Sequence, residues 1–577
     1  MKRIEESEEE LGKEGARTQT ALAAVVNPNE AKARPEFQSA DYMGVLIVAM
    51  LLNAFLLLRY SYAQYDLSRY STYDLGIFDQ ATWLISRFKT PNVTIRGCHI
   101  LGDHFSLILY LCAPFYWIWS SPKTLLTLQT LTLTTGALPI YFLAKSRTSS
   151  GRTGLIAGLA YLCCPAVIGE NLREFHPECL ATSWLVWAFY FASIKKWTPC
   201  FVFVVLASMC KETAGYVIVL FGVYVYIKSR GLGTCITLYG IASIFISMTV
   251  IQFFNGGHPS AYWIKFSDFG SSPLEIAAYV STHPLQVFHH ANNYLTRAYF
   301  YKLLSPLLFL PLLAPEVLLI GLPVILMYVL DRNEGLVNLS LENQYSAYIT
   351  PFLCCAAVIG YDRWRKFGNR WTSLLIGAVL IGQISILAIN NSSFIYAIIA
   401  GQPDKYDEIK IEARNVYDRM IPENASVCIE QSQTAQLSRR VRIYSFPNPF
   451  FSVGMGNSVD ALLQQTGKNF PPFDLQEVRN RIDRSDVEYV VIGNCYNFWP
   501  LENVQSKLIA QEIVMSHRYS IIYTDHRMLI LKLASLKRSD IEWKSGIDLL
   551  ASKMNRSVKG SENILEVFSK WFDEAIS

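Results

Sequence analysis

Long apolar runs, repeated from residue 42 to residue 390, constrain the fold of this chain more than any other feature. A run of about 20 apolar residues is the length that a helix needs to cross a lipid bilayer. Hydrophobic residues make up 51% of the chain and charged residues only 17%, against about a quarter in soluble domains. The sequence therefore predicts a polytopic α-helical membrane protein with polar flanks.

The apolar runs divide into about eleven candidate spans, some of them paired as tilted or partly submerged hairpins. A further run, Ile100–Trp119, is predicted to stay on the outer side as a re-entrant or interfacial segment. The candidate spans are Tyr42–Leu58, Thr124–Ala144, Gly154–Gly169, Cys179–Ile194, Trp197–Cys210, Thr213–Ile227, Gly233–Phe254, Tyr301–Leu313, Pro315–Leu330, Tyr345–Tyr361 and Trp371–Ile389.

Short basic loops predict the orientation of these spans, because loops rich in Lys and Arg usually face the cytoplasm. With a cytoplasmic N-terminus, all the short basic loops fall on the cytoplasmic side: Lys145–Arg152, Lys195-Lys196, Lys228–Arg230 and Asp362–Arg370. If Ile100–Trp119 crosses the bilayer instead, every later loop inverts. We therefore predict a multi-pass protein of the plasma (inner) membrane. The net charge of +4 is small and forms no basic stripe, so no nucleic-acid partner is predicted.

Three regions follow from this threading. Residues 1–41 are predicted to be a disordered cytoplasmic tail, because they lack the apolar centre of a signal peptide. Residues 42–390 form the multi-span transmembrane domain, whose large outer loops, 59–123 and 255–300, are suited to interfacial helices. Residues 391–577 are predicted to be an extracytoplasmic α/β domain.

The C-terminal domain carries a recognisable pattern of strands. They are predicted at Ala425–Gln431, Val441–Pro447 and Asp486–Asn494, with a short helix at Thr434–Arg440 and a hairpin over Tyr519–Leu533. Cys428 and Cys495 both fall in this domain, and the sequence leaves open whether they pair.

Four polar segments interrupt the apolar pattern on the predicted outer side. Ionisable groups near membrane depth usually face a cavity or pair with one another, and they mark function. The segments are YDLGIFDQATW (Tyr73–Trp83), LGDHFS (Leu101–Ser106), LREFHPE (Leu172–Glu178) and Lys211-Glu212.

The first segment is typical of a helix start. Asp74 lies in the first turn, where a carboxylate can satisfy free backbone N–H groups, so a capping role and a catalytic role both stay open. Asp79 follows five residues later, about 140° around the helix. The two acids therefore do not share a face, and Asp79 is assigned to the helix surface.

The other three segments combine acids with cations, and local ion pairs or a solvated turn are the simplest explanation of each. Their chemistry also suits a site, because Lys, Arg and His bind phosphate at the level of the lipid headgroups. A carboxylate suits deprotonation of an acceptor hydroxyl.

A divalent metal is an alternative use of Asp74, His104, His176 and Glu178. Only His176 and Glu178 approach a metal-motif spacing, and i, i+2 is a poor chelate on a helix. No cofactor is therefore predicted, and a divalent metal has little support.

The motifs YDLGIFDQATW, LGDHFS, FHPE, KE, SPLLFLPLLAPE and ENQYSAYITPFL, in this order, resemble an uncharacterised prokaryotic membrane family, domain-of-unknown-function family 2079. The resemblance covers Tyr60 to about Asn494. That family in turn looks like the GT-C superfamily of membrane glycosyltransferases. GT-C members have many spans, an acidic first outer loop and often a C-terminal extracytoplasmic domain, and they use lipid-phosphate-linked sugars. The resemblance implies a GT-C-like fold.

By that resemblance Asp74 matches the catalytic acid of the first outer loop. The site lacks an adjacent Asp-Asp or Asp-Glu pair, which puts a metal-dependent reaction in doubt. The implied reaction is inverting transfer of a sugar from a polyprenyl-phosphate donor to an extracytoplasmic acceptor, with Asp103 and His104 as further catalytic residues. The residues expected to hold the donor phosphate are Arg173, His176, Lys211 and Arg59, supported by Glu178 and Glu212. The alternative is a non-catalytic transporter or an envelope assembly or scaffold protein.

Overall fold

A short-stranded sheet and a large set of helices make up the computed structural model. It describes residues 39–70, 73–270, 272–331, 341, 344–366, 382, 405–465, 471–493, 503–525, 528–534, 544–546, 548–550, 552 and 568–572. The predicted tail 1–41 therefore lies outside the described residues except for residues 39–41, and Cys495 lies outside them.

The helices dominate the first two thirds of the chain. The α-helices are Ser39–Asp66, Tyr73–Ser86, Ile100–Asp103, Ile108–Cys112, Phe115–Ile118, Pro122–Thr135, Ala137–Thr148, Gly151–Leu162, Pro165–Leu172, Pro177–Ser193, Trp197–Ser208, Ala214–Tyr226, Arg230–Phe254, Pro273–Thr282, Pro284–Ala291, Tyr294–Leu304, Pro315–Leu318, Leu322–Leu330, Thr350–Arg365, Lys405–Met420, Thr434–Leu437, Val459–Gln465, Leu475–Arg484 and Asn503–Met515. The 3-10 helices are Ala261–Phe266, Ser305–Leu307, Leu310–Leu313, Leu319–Gly321, Gln344–Ser346 and Gln431–Gln433.

Four helical segments of the described residues are long and apolar enough to cross a membrane: Asp41–Asp66, Pro122–Thr148, Gly151–Leu172 and Arg230–Phe254. Shorter apolar helices, Trp197–Ser208 and Ala214–Tyr226 among them, coincide with other predicted spans. The membrane part is thus helical as predicted, whereas the number of spans stays a prediction. The last predicted span, Trp371–Ile389, lies outside the described residues apart from residue 382.

Two details of the predicted spans differ from the structure. The first helix continues to Asp66, so Arg59 lies within it and not in the first outer loop. The segment from Tyr301 to Leu330 is divided into short α-helical and 3-10 pieces, several with Pro in the first turn. Proline lacks an N–H and clashes with the preceding turn, so it ends a helix where the apolar pattern alone would continue it.

The segment Ile100–Trp119 also forms short helices, here three in number, Ile100–Asp103, Ile108–Cys112 and Phe115–Ile118. The last of these packs on helix Tyr73–Ser86, where the Tyr116 hydroxyl donates to Asp79 Oδ1 at 2.5 Å. Ser438 donates to Asp79 Oδ2 at 2.5 Å. Asp79 is fully buried, so its assignment to the helix surface was wrong. Burial raises the pKa of the Asp79 carboxyl to about 6.

The C-terminal sheet has five strands in the order Ile443–Ser445, Val427–Ile429, Tyr489–Gly493, Met528–Leu533 and Tyr519–Thr524. The first three are parallel, and the last two form an antiparallel hairpin. All five lie where the sequence predicts strands, and helix Thr434–Leu437 also lies at its predicted place. A separate two-stranded ribbon pairs Asn92–Val93 with Cys98–His99 in the loop 59–123, which is predicted to lie outside.

Alternate residues of this sheet face two different cores, as strand geometry requires. Cys428, Val490 and Leu529 pack on the domain's own helices, among them Asn503–Met515. Val427, Val491 and Ile530 belong instead to the hydrophobic core that continues into the membrane helices. One face of the sheet is therefore the surface by which the domain packs on the rest of the protein.

Polar contacts reinforce this packing along the loop 59–123. Thr94 Oγ1 donates to the Ile443 carbonyl at 2.6 Å and accepts from the Ile443 N–H at 2.9 Å. Gly76 of helix Tyr73–Ser86 faces the helix Thr434–Leu437, and a Cβ at Gly76 would lie 3.1 Å from Thr434 Oγ1. The C-terminal domain is thus in direct contact with the helix that begins with Asp74.

Asn457 of the C-terminal domain joins the two loops 59–123 and 255–300 of the membrane part, and its removal should loosen both. Its side chain donates to the Gly102 carbonyl at 2.8 Å and accepts from the Ala261 N–H at 3.1 Å. Because Asn457 is buried, Asn457→Ala leaves these groups without partners, and we expect a loss of about 2–3 kcal/mol in the free energy of unfolding. Thermal unfolding in detergent measures it.

Asn480→Ala is the matched control for this prediction, since Asn480 is exposed on a helix of the same domain. The control should unfold like the wild type. Equal unfolding temperatures for both variants would show that Asn457 does not hold the loops.

Candidate functional site

The start of helix Tyr73–Ser86 presents Asp74 to a buried histidine. Asp74 Oδ2 lies 3.3 Å from His176 Nε2. The side chain of Asp74 is 49% exposed, whereas that of His176 is 8% exposed. The carboxylate is thus anchored on one side and open to a substrate on the other.

The turn that carries His176 is held by a buried glutamine. Gln129 Oε1 accepts from the His176 N–H at 2.9 Å, and Gln129 Nε2 donates to the Glu170 carbonyl at 3.2 Å. The imidazole has acceptors at both ring nitrogens, because Nδ1 lies 3.0 Å from the Glu174 carbonyl while Nε2 faces Asp74. Only the doubly protonated ring donates to both, so the turn favours an imidazolium beside Asp74.

Glu174 connects the same turn to the helix start. Its Oε2 accepts from the Leu75 N–H at 2.8 Å. A free N–H in the first turn of the helix is therefore satisfied by Glu174, which leaves the carboxylate of Asp74 available for other contacts.

Two ion pairs extend the cluster away from His176. Lys211 Nζ donates to Glu178 Oε1 at 2.7 Å, and both side chains are largely buried. The neighbouring Glu212 lies 3.0 Å from His104 Nδ1 through Oε1 and accepts from the Phe105 N–H at 3.1 Å through Oε2. Burial raises the pKa of Glu212, but the adjacent imidazole of His104 outweighs burial and holds that pKa at about 2.

Asp103 lies at the end of this row, and its partner is Arg96. The guanidinium contacts both carboxylate oxygens at 3.2 Å, and both residues are buried. Arg96 also donates to the Gly454 carbonyl of the C-terminal domain at 2.9 Å. Burial raises the pKa of Asp103, but the Arg96 charge outweighs it and keeps that pKa low. The geometry suits Asp103 to positioning the loop and leaves it little access to a substrate.

The structure thus brings most of the predicted site residues into one connected row. It runs from Asp74 through His176 and Glu178 to Lys211, and from Glu212 to His104 and Asp103. Arg173 is exposed beside the row and forms no ion pair with the described residues. Arg59 is exposed on the first helix, and no hydrogen bond or ion pair joins its side chain to the row in the described part of the chain. In the part of the chain that the structure describes, no group of three or more His, Cys, Asp or Glu side chains could hold a metal ion.

Comparison with known proteins identifies the family. The family model described as "Predicted membrane protein (DUF2079)" matches residues 64–525. This chain belongs to that family. The family predicted from the motifs is therefore confirmed, and so is the assignment as a membrane protein.

Solved structures similar to this member of the family include two of ArnT from Cupriavidus metallidurans. The structure bound to undecaprenyl phosphate is 11% identical, with a TM-score of 0.49, and the match covers 86% of this chain and 98% of that chain. The structure in the apo state is also 11% identical, with a TM-score of 0.44 and coverage of 79% and 92%. No curated protein matches the chain.

Several side chains of the site escape sequence reasoning. Arg96 and Gln129 sit among ordinary loop and helix residues, and no spacing distinguishes them. Tyr262 stacks on His104 with ring centroids 4.8 Å apart, yet it comes from the distant loop 255–300. Glu174 stands in LREFHPE, one of the four polar segments, but no pattern in the sequence pairs it with the Leu75 N–H.

An apolar cavity of about 370 Å³ lies close to this row of charges. Trp263 lines it and directly follows Tyr262, whose ring stacks on His104 of the row. Tyr216, at the start of helix Ala214–Tyr226, lines it as well. The other lining residues are Leu220, Trp263, Phe266, Ile276, Ala277, Val280, Ser281, Leu322, Pro323, Leu326, Met327 and Leu330. A charged row thus adjoins a space that suits a hydrocarbon chain.

The Asp74–His176 pair predicts a pH dependence of stability. Burial lowers the pKa of His176, but Asp74 outweighs burial and raises it above the ordinary 6.5. Burial raises the pKa of Asp74, but His176 lowers it below the ordinary 3.8. The pair therefore stabilises the fold fully between about pH 3.8 and 6.5. It loses strength as the pH rises through the pKa of folded His176 or falls through that of folded Asp74.

We expect the unfolding temperature of the wild type to decline above pH 6.5 and the decline to be smaller in His176→Gln, which cannot ionise. The exposed His258 supplies the control, because His258→Gln should keep the full decline. A wild-type decline that His176→Gln leaves unchanged would contradict the prediction.

Proposed function

We propose that this protein is a GT-C-like membrane glycosyltransferase that moves a sugar from a polyprenyl-phosphate donor to an extracytoplasmic acceptor. The observation that supports the proposal is the row of charges described above, in which the half-exposed Asp74 adjoins buried His176 and, beyond it, Lys211. A carboxylate open to solvent can take a proton, and the cations can hold a phosphate.

The proposed reaction needs one base and one leaving phosphate. The acceptor oxygen attacks the anomeric carbon of the sugar while Asp74 takes the proton of the acceptor hydroxyl. The bond from that carbon to the phosphate oxygen breaks, and the polyprenyl phosphate leaves with the electron pair. Attack from the face opposite the phosphate inverts the sugar carbon. The neighbouring His176 keeps Asp74 ionised, because it lowers the pKa of that carboxyl.

The donor phosphate is proposed to bind at Lys211 and His176, with the exposed Arg173 reaching it from the side. The ammonium of Lys211 has three N–H donors and uses one on Glu178. Glu178 and Glu212 support this arrangement by holding Lys211 and His104 in place. The isoprenoid chain of the donor is proposed to occupy the apolar cavity lined by Tyr216 and Trp263. Arg59, on the first helix, is proposed as an outer contact of the phosphate.

The reaction also implies a location. Polyprenyl-phosphate sugars lie in the bilayer, so the protein is proposed to be an integral protein of the plasma (inner) membrane. Its N-terminus lies in the cytoplasm, and the site and the C-terminal domain lie outside it, as the basic loops predict. In this arrangement residues 1–41 are the cytoplasmic tail, residues 42–390 the transmembrane domain and residues 391–577 the extracytoplasmic domain.

Reconstitution tests the proposal directly. The full chain in lipid vesicles, given a panel of polyprenyl-phosphate sugars and an envelope extract as the source of acceptor, should release free polyprenyl phosphate from at least one donor. Binding of donors without any release would favour the non-catalytic alternative, a transporter or scaffold. If the protein neither binds any donor nor releases polyprenyl phosphate, a lipid-linked donor is ruled out.

A further inference from the structure

A second buried acid, Glu170, lies apart from the row of charges and has no role in the reaction proposed above. It belongs to helix Pro165–Leu172, within Gly151–Leu172, one of the four segments long and apolar enough to cross a membrane, and its side chain is fully buried. An ionisable side chain in such a segment usually marks a functional site.

Three hydroxyl groups hydrogen-bond to the Glu170 carboxyl in the described part of the chain. Oε1 lies 2.8 Å from Thr350 Oγ1 and 3.1 Å from Ser346 Oγ. Oε2 lies 2.6 Å from Thr182 Oγ1, which in turn lies 2.9 Å from the Ala347 carbonyl oxygen. Three different segments of the chain therefore converge on this one side chain.

When Glu170 is ionised, this network has fewer hydroxyl protons than oxygen–oxygen contacts that need one. Thr182 carries one hydroxyl proton, yet its oxygen is within hydrogen-bond distance of two acceptors, Glu170 Oε2 and the Ala347 carbonyl. A proton on Glu170 Oε2 resolves the shortage at Thr182, because the acid then donates to Thr182 Oγ1 and Thr182 donates to the Ala347 carbonyl. The single hydroxyl proton of Thr350 stays shared between Glu170 Oε1 at 2.8 Å and the Ser346 carbonyl at 3.0 Å. The separation of 2.6 Å between Oε2 and Oγ1 is normal for an O–H···O hydrogen bond.

The charges around Glu170 agree with a neutral acid. No ion pair joins Glu170 to a Lys, Arg or His among the described residues. An unpaired carboxylate in an apolar interior is costly, and such a group usually takes up a proton instead. The titratable groups that face Glu170 from the packed elements are thiols and phenols, namely Cys164, Cys179, Cys354, Tyr161 and Tyr299.

We propose that Glu170 is a proton-binding site of the membrane domain, holding one proton between its Oε2 and Thr182 Oγ1. The bound proton joins helix Pro165–Leu172 to helix Pro177–Ser193 and to the turn at Ser346 and Ala347. Gln129 connects the backbone of Glu170 to the turn of His176, so the proton lies one side chain away from the row of charges. This inference does not depend on sugar transfer.

Infrared spectroscopy of the full chain in lipid nanodiscs tests the proposal. The difference spectrum between wild type and Glu170→Gln at neutral pH should contain the carbonyl stretch of one protonated carboxylic acid. Glu316→Gln is the matched control, because Glu316 is only partly buried and is paired with Arg363. The spectrum of this variant should still contain the band. Absence of the band from the wild-type minus Glu170→Gln spectrum overturns the proposal.

A second variant keeps the test decisive if Glu170→Gln does not fold. Thr182→Val retains the acid but removes the acceptor of its proton, so the carbonyl stretch should shift to higher frequency. A spectrum of Thr182→Val identical to that of the wild type overturns the proposed position of the proton.

The same oxygens could instead coordinate Na⁺, and a third measurement separates the two ions. Proton binding predicts that the wild type unfolds at the same temperature in sodium chloride and in choline chloride of equal concentration. A sodium-specific rise in the unfolding temperature that Glu170→Gln abolishes assigns the site to Na⁺ and overturns the proton.

Discussion

Replacing Asp74 with Asn is expected to lower sugar transfer by about 10²–10⁴-fold, the usual contribution of a general base, while the chain stays folded. Asn keeps the size of the side chain and an oxygen that His176 can contact, but it cannot take the proton of the acceptor hydroxyl. The release of polyprenyl phosphate by reconstituted protein, measured as a function of donor concentration, gives the turnover number and the Michaelis constant.

Asp66→Asn is the matched control, because Asp66 is a half-exposed acid at the end of the first helix and pairs with Lys123. It should transfer sugar at the wild-type rate. If Asp74 is the base, the Asp74→Asn variant loses turnover and keeps its Michaelis constant for the donor. A higher Michaelis constant with an unchanged turnover number would make Asp74 a positioning residue for His176. Unchanged transfer would show that Asp74 is not part of the site.

The local patterns of the sequence predict the sheet and the polar segments well. Strands such as Tyr489–Gly493 are continuous apolar runs bounded by polar residues, and a strand of that kind is specified by its own residues. Segments such as LREFHPE can be recognised because charged residues stand out between apolar runs, whatever direction their side chains take in the fold. The sequence therefore indicates which residues form the row of charges around His176 and Lys211.

Partners across long sequence separations could not be predicted in the same way. Asp79 is buried, and Ser438, which is 359 residues away, donates to it. Nothing near Asp79 in the sequence encodes that contact. Lys211-Glu212 suggests a local pair, but each residue instead pairs with a distant segment, Glu178 or His104. A helical or strand pattern gives the face that a side chain occupies, whereas the neighbour across that face depends on the packing of the whole chain.

Replacing Lys211 with Met should lower the free energy of unfolding and abolish donor binding. Met fills the space of the lysine stem but leaves the buried carboxylate of Glu178 without its partner at 2.7 Å. Breaking a buried ion pair from one side costs about 3–5 kcal/mol. We expect a loss of that order in the free energy of unfolding, measured by thermal unfolding in detergent.

The double variant Lys211→Met, Glu178→Gln separates the structural role of this pair from the proposed role in binding. Removing both charges relieves the unpaired carboxylate, so most of the lost stability should return. Phosphate binding should not return, because the ammonium that holds the donor is still missing. A double variant that regains stability and also transfers sugar at the wild-type rate would assign Lys211 to the fold alone. A double variant that is stable and inactive, beside an active Glu316→Gln control, would place the ammonium at the donor.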